Sequence, residues 1–300
     1  MTFEIPLVGP KGEPVDFLRT ILSHGVADLP PARVDEAAGA YETTVALPAG
    51  RPRTIRIAAG APGTARVDVC GPRLGERGRA ALAETVRKIL NLDEDLSGFY
   101  EAAAGDPELD WATAGAGRML RTPTVFEAVV KTVATTNCAW SATVRMVTAL
   151  VENLGEPAAG GDARAFPTAE AMAAAPESFY RDVVRAGYRS AYLRSLAASV
   201  ADGAIELESL GAGSNGLTDD EVAARLLALP GIGPYGTAHM MMLLGRHSRL
   251  VLDSWTRPKY ARVRGRKASD AQIERRFRRY GRYAGLAFWL YLTRDWVAEA

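Results

Sequence analysis

The order of apolar and polar positions changes character about a third of the way along the chain. Early on, Tyr41–Leu47 (YETTVAL), Arg53–Ala58 (RTIRIA) and Ala65–Cys70 (ARVDVC) alternate apolar and polar residues with many β-branched side chains, and Gly and Pro separate them. A period of two with such punctuation predicts half-buried strands, here of an antiparallel sheet. Gly75–Leu92 (GERGRAALAETVRKILNL) places Ala, Leu, Val and Ile at helical spacing and should cover one face of that sheet. Beyond Glu94 the strand signal disappears. Phe126–Leu154, Ala169–Val184, Tyr188–Ala201, Asp219–Leu229 and Gly236–Gly245 follow the helical period, broken by short Gly/Pro loops. The expected fold class is therefore α+β, with an antiparallel sheet unit plus helix over residues 1–110 and an all-α unit over 111–300. No internal repeat interrupts this order.

Composition narrows the function classes. A chain of 300 residues, 48% hydrophobic and 24% charged, can bury a sizeable core, and no run of about 18 apolar residues suggests a membrane span. The opening MTFEIPLVG lacks the pattern of a secretory signal, which with only two cysteines leads us to expect a reduced, cytoplasmic protein. Cys70, Cys138, His24, His239 and His247 contain no close pair, so neither a four-ligand zinc site nor a four-cysteine cluster is expected. The formal net charge of +1 hides an asymmetry. Between Trp255 and Arg282 stand eleven basic residues and only Asp270 and Glu274, a net of nine positive charges, so the remainder of the chain carries −8. Such a stretch suits a polyanion, or simply a solvated helix face.

The most informative segment is Glu221–Lys259, EVAARLLALPGIGPYGTAHMMMLLGRHSRLVLDSWTRPK. An amphipathic helix is followed by a tight turn, Leu229-Pro230-Gly231-Ile232-Gly233, and Pro234 opens a second apolar helix from its first turn. Glycine tolerates positive φ and lets another backbone come close, so this hairpin can aim free N–H groups at an anion such as a nucleic-acid phosphate. An ordinary helix–turn–helix connection reads the same way. After the second helix comes Leu250-Val251-Leu252 and then a carboxylate, Asp253. Asp253 suits a helix N-cap; it also suits cleavage of an N-glycosidic bond, because positive charge builds on the sugar as the bond breaks.

LPGIGPYGTA followed by LVLDSW resembles the helix-hairpin-helix DNA glycosylase superfamily, whose pattern is a Gly-rich hairpin, a helix and then an obligatory Asp. The resemblance extends upstream through Gly117-Arg118-Met119-Leu120-Arg121, Phe126-Glu127-Ala128, TTNCAW and Ala186-Gly187-Tyr188-Arg189. The β-rich front resembles the sheet unit of the 3-methyladenine glycosylase II and 8-oxoguanine glycosylase branches. This implies a DNA repair enzyme that flips a damaged base and hydrolyses its N-glycosidic bond, with Asp253 as the catalytic carboxylate. Tyr235 stands where bifunctional members carry a lysine, which implies a monofunctional enzyme. Asn137 matches the residue that enters the space left by the flipped nucleotide.

The same reading places Tyr235, His239, Trp140, Tyr283 and Trp289 around the base, and Gly231, Gly233, Tyr188, Arg189, Arg257, Arg275 and Arg279 on the DNA. Backbone carbonyls of Leu227, Leu229 and Ile232 would hold Na+ or K+; no other cofactor is expected. The implied partner is double-stranded DNA containing a damaged base, met by a monomer that sits on the nucleoid when it acts. Ser254 and Trp255 depart from the pair that usually follows the Asp, and Pro258 should kink or shorten the following helix. A non-catalytic binder, with Asp253 only capping a helix, is the alternative; a helical small-molecule enzyme would show no salt-dependent DNA affinity.

Overall fold

The computed structural model describes residues 1–211 and 216–297. Five strands, β1 (Thr2–Pro6), β2 (Arg33–Asp35), β3 (Ala40–Val45), β4 (Arg53–Ala59) and β5 (Thr64–Val69), form one antiparallel sheet in the order β1-β5-β4-β3-β2. The register brings Phe3, Val67, Ile57 and Tyr41 into line across four strands. Because side chains alternate, this puts one apolar face on the sheet. Helix α1 (Phe17–Ile21) lies between β1 and β2, and α2 (Glu76–Ile89) packs Leu82, Val86 and Ile89 into the same core as that face, as its periodicity predicts.

The rest is helical: α3 (Ser97–Ala103), α4 (Val125–Thr135), α5 (Trp140–Leu154), α6 (Ala169–Ala174), α7 (Arg189–Ala201), α8 (Asp219–Leu227), α9 (Pro234–Leu243), α10 (Thr256–Arg264), α11 (Asp270–Phe277) and α12 (Ala284–Thr293). Their apolar faces share a second core around Val129, Leu193, Met240 and Phe288. Two long predicted helices are each broken. Asn137, at φ 46°, sits in a left-handed turn between α4 and α5, and Pro176 follows the end of α6, where its missing N–H and ring cannot continue a helix. The second core also takes in Val26, Leu29 and the α3 residues Phe99 and Tyr100, so parts of the chain before residue 110 pack with the helical unit. No helix among the described residues is long and apolar enough to cross a membrane.

The two cores meet along the extended segment Gly117–Arg121. Leu120 belongs to the sheet core, and its carbonyl accepts a 2.7 Å hydrogen bond from His24 Nε2. Arg118, fully buried, donates to Glu13 at 3.1 Å and to the carbonyls of Asn91 and Glu94. This junction ties the sheet unit to the helices and holds His24 in place.

Candidate active site

The hairpin is built as its glycines require, with one division of labour that the sequence did not foretell. Helix α8 opens on a reciprocal cap between Thr218 and Glu221. Gly231 has φ 81°, and a Cβ there would lie 3.0 Å from the Tyr192 ring and 3.1 Å from Val133. Gly233, in contrast, has φ −104° and ψ −172°, and a Cβ there would meet nothing within 4 Å. The positive-φ demand thus falls on Gly231 alone. Gly233 is the N-cap of α9 with Pro234 as first helical residue, so the amides of Tyr235 and Gly236 have no partner within the helix and no side chain caps them.

Past α9, the chain returns to place Asp253 at the start of α10. Its Oδ1 accepts hydrogen bonds from the amides of Trp255 (2.9 Å) and Thr256 (2.6 Å), and its own amide donates to Thr256 Oγ1 at 2.8 Å. Among the described residues Oδ2 has no hydrogen bond. Pro258 is the third residue of α10; its neighbours Arg257 and Lys259 donate to the carbonyls of Asp253 and Trp255, and Pro258 has no N–H to offer the Ser254 carbonyl between them.

Around the half-buried Asp253 lie two groups of rings, one felt through charge and one joined by hydrogen bond. Burial first, and the negative charge of Asp253 second, raise the Tyr235 phenol above its ordinary pKa, while the Thr135 side chain works the other way. Tyr235 stacks on His239, ring centres 5.9 Å apart, and His239 meets the His24 edge at 6.1 Å. His24 lines a cavity of about 350 Å³ together with Ile21, Leu22, Asp28, Glu36 and Trp296. Trp296 packs at 5.7 Å from Trp255 and 5.9 Å from Trp289, and Trp255 at 5.6 Å from Trp289, whose Nε1 donates to the Ser23 carbonyl. The Trp255 amide joins this group to Asp253. Trp255 and Trp296 remain 41% and 37% exposed, so flat apolar surface is available for stacking at the rim.

His24, Trp255 and Trp296 were not singled out from sequence as pocket residues. Trp255 had a signal in its place two residues after Asp253. His24 and Trp296 are isolated in sequence and reach the site only through the junction of the two cores.

Other expected residues lie elsewhere. Trp140 is 48% exposed at the start of α5 and does not line the cavity. Tyr283 packs on Phe99 at 5.7 Å, and its hydroxyl accepts from Arg282. Neither lies in the ring cluster that includes Trp255, Trp289 and Trp296. Arg189, buried, spends its guanidinium on the Thr136 carbonyl and hydroxyl under the Tyr188 ring, so it braces the loop carrying Asn137 and is not free for phosphate. Tyr188 is 55% exposed and meets Tyr192, the residue under Gly231, at 6.0 Å, which joins the hairpin and the exposed Asn137 turn on one surface. Arg257 forms a two-pronged pair with Asp270, and Arg279 pairs with Asp106 at 2.7 Å. Arg275 is exposed without an ion pair among the described residues. Arg275 and Arg279 do not share a helical face, because α11 stops at Phe277 and a 3₁₀ turn follows. At the hairpin the Leu229 carbonyl accepts from the Ile232 amide at 3.2 Å, while the carbonyls of Leu227 and Ile232 have no hydrogen bond among the described residues. Among the described residues no group of three His, Cys, Asp or Glu could hold a metal ion.

Burial is the main cause that lowers His239 to about 3 and His24 to about 4; His24 opposes protonation of His239, and Lys131 that of His24, while the Leu120 carbonyl favours the His24 cation. Both imidazoles are neutral at neutral pH. The unfolded chain, with ordinary histidines near 6.5, binds more protons below that value. Stability is therefore expected to be full above about pH 6.5 and to fall as pH drops toward 4, by up to about 1.4 kcal/mol per pH unit for each group. The melting temperature of His239→Phe should fall less steeply between pH 7 and pH 5 than that of the parent. Parallel curves would contradict this account of His239.

Solved structures share this fold. The 3-methyladenine DNA-glycosylase from Archaeoglobus fulgidus superposes with a TM-score of 0.74 at 20% identity, covering 99% of this chain and 100% of that one. MBOgg1, solved with a low-affinity DNA ligand, gives 0.72 at 17% identity, with 98% and 96% covered. The Clostridium acetobutylicum 8-oxoguanine glycosylase/lyase, in complex with double-stranded DNA containing cytosine opposite 8-oxoG, gives 0.70 at 18% identity, with 98% of each chain covered. No protein-family model matches the chain, and no curated protein matches it. The α+β architecture expected from sequence is thus the fold these solved structures share, and the likeness spans the sheet unit as well as the helices.

Proposed function

We propose that the protein is a monofunctional DNA glycosylase of base excision repair, acting as a cytoplasmic monomer on double-stranded DNA that contains a damaged base. The observation that carries this reading is the placement of one carboxylate, Asp253, beside the N-terminus of α9 and at the end of a cluster of rings, Trp255, Trp289 and Trp296, that reaches a cavity lined by His24 and Trp296. The likeness to solved DNA glycosylases over nearly the full chain supports it.

In this mechanism the amides of Tyr235 and Gly236 hold a phosphate of the lesion strand, and Na+ or K+ on the carbonyls of Leu227, Leu229 and Ile232 would add positive charge beside it. The nucleotide turns out of the duplex, Asn137 enters the space it leaves, and the base enters among His239, Trp255, Trp289 and Trp296. As the N-glycosidic bond breaks, the electron pair leaves with the base and positive charge grows on the sugar. Asp253 Oδ2 stabilises that charge and orients the water that adds to the anomeric carbon, leaving an intact abasic sugar. Because His24 and His239 are neutral and the charged residues of the cavity, Asp28 and Glu36, are acidic, the site favours a neutral or cationic base over an anionic one.

Tyr235 offers a phenol where an amine would be needed to form an imine with the sugar. Lys131 is buried against Glu127 at 2.6 Å, and Lys259 pairs with Asp295 at 2.6 Å. Product strands are therefore expected to break only after alkali, and borohydride added during turnover should trap no protein–DNA adduct. A stable adduct would overturn the monofunctional reading. The helix cap made by Asp253 Oδ1 favours a second reading, a non-catalytic DNA binder. Substitution of Asp253 separates the two.

A further inference from the structure

The eleven basic residues between Trp255 and Arg282 divide into two groups. Five are engaged within the protein: Arg257 with Asp270, Lys259 with Asp295, Arg276 with Glu108, Arg279 with Asp106, and Arg282 with the Tyr283 hydroxyl. The other six, Arg262, Arg264, Arg266, Lys267, Arg275 and Arg278, are exposed, and none has a hydrogen bond or ion pair among the described residues. Of the two carboxylates in the stretch, Asp270 is neutralised by Arg257, which leaves Glu274 against six free cations.

Their placement is not scattered. Arg262, Arg264, Arg266 and Lys267 gather at the end of α10 and the turn after it, where Gly265 closes the helix at φ 76°. Helix α10 starts at the Asp253 cap, so at 1.5 Å per residue its nine residues put this turn roughly 13 Å from the site mouth. Arg278 lines a cleft of about 590 Å³ that begins at Pro234 and Tyr235, beside the phosphate-facing amides, and runs past Asp270, Glu274 and Gly281. Arg275 lies in the last turn of α11, three residues before Arg278, which follows the helix end.

Resting on the glycosylase reading, we propose that the α10–α11 elbow is a second DNA-backbone surface, beside the helix hairpin, that grips duplex phosphates flanking the flipped nucleotide. The hairpin holds the lesion strand at the site; the elbow holds flanking duplex through side-chain cations and reads no bases. Free, exposed cations lose no internal partner on meeting phosphate, which is why these six serve and the five engaged residues do not.

The test is fluorescence anisotropy with undamaged duplex over a salt series. Four proteins are compared: the parent; Arg262→Gln/Arg264→Gln/Arg266→Gln/Lys267→Gln; Arg275→Gln/Arg278→Gln; and Arg73→Gln/Arg77→Gln, which removes two exposed charges from the start of α2 and its approach. With about 0.9 lost per phosphate contact, the slope of log K against log salt should shallow by roughly two to four for the fourfold variant, by one to two for the elbow double variant, and not at all for the α2 pair. Parent-like slopes in both elbow variants, with a steep parent slope, would overturn the second surface alone. A parent that shows no salt-dependent binding would overturn the DNA reading itself.

Discussion

Asp253→Asn is expected to leave the protein folded and bound to DNA while removing base release. The helix cap explains why the experiment is clean. Asp253 acts on α10 through Oδ1, which accepts from Trp255 and Thr256, and an Asn side-chain oxygen can accept the same two hydrogen bonds. Loss of stability should then stay below about 1 kcal/mol, whereas loss of the negative charge opposite a sugar cation should slow the chemical step by roughly 10²–10⁴-fold. The decrease should appear in single-turnover rates with lesion affinity nearly unchanged, since the interaction strengthens only as charge develops. Single-turnover activity within a few-fold of the parent would remove Asp253 from the mechanism and leave it as a cap.

The two hairpin glycines should fail in different ways. At Gly231, Ala must take φ 81° and press a methyl group to 3.0 Å from Tyr192 and 3.1 Å from Val133, so the variant should lose about 1–2 kcal/mol from backbone strain alone and more from crowding. At Gly233 the backbone suits any residue and the Cβ meets no atom of the protein. Gly233→Val should therefore melt near the parent temperature and bind lesion and undamaged duplex more weakly by the same factor, because the side chain fills the space in which a phosphate approaches the α9 amides. Calorimetry and duplex titration on both variants check the pair. A Gly233→Val protein that folds and binds DNA normally would make the hairpin a structural turn only.

How much of this was legible in the sequence differs from element to element. The hairpin was, because Gly, Pro and an apolar period are local physical constraints that context seldom overrides. The strand Tyr41–Leu47 and the helix Gly75–Leu92 were also readable, for their patterns match a half-buried face; β1, five residues ending in Pro6, and the three-residue β2 were too short to register. The Phe126–Leu154 period continued through Asn137 because an apolar repeat survives a single left-handed residue that breaks the helix. The pocket was legible only in part. Tyr235 and His239 lie four apart on one helix, whereas His24 and Trp296 come from the ends of the chain and meet through tertiary packing. Charge misled for the same reason: the partners that consume Arg276, Arg279 and Lys259 are Glu108, Asp106 and Asp295, distant in sequence or beyond the basic stretch, so spacing could not separate engaged from free cations.

The central claim, that Asp253 and the rings beside it form a glycosylase site, is tested most directly by incubating the protein with a panel of duplexes, each carrying one alkylated, oxidised, deaminated or mismatched base, and measuring abasic sites. The account predicts abasic sites in at least one duplex, with cationic alkylated purines favoured by Asp28 and Glu36 at the cavity and the strand intact until alkali is added. Salt-dependent binding to every duplex with no base released from any of them would contradict it.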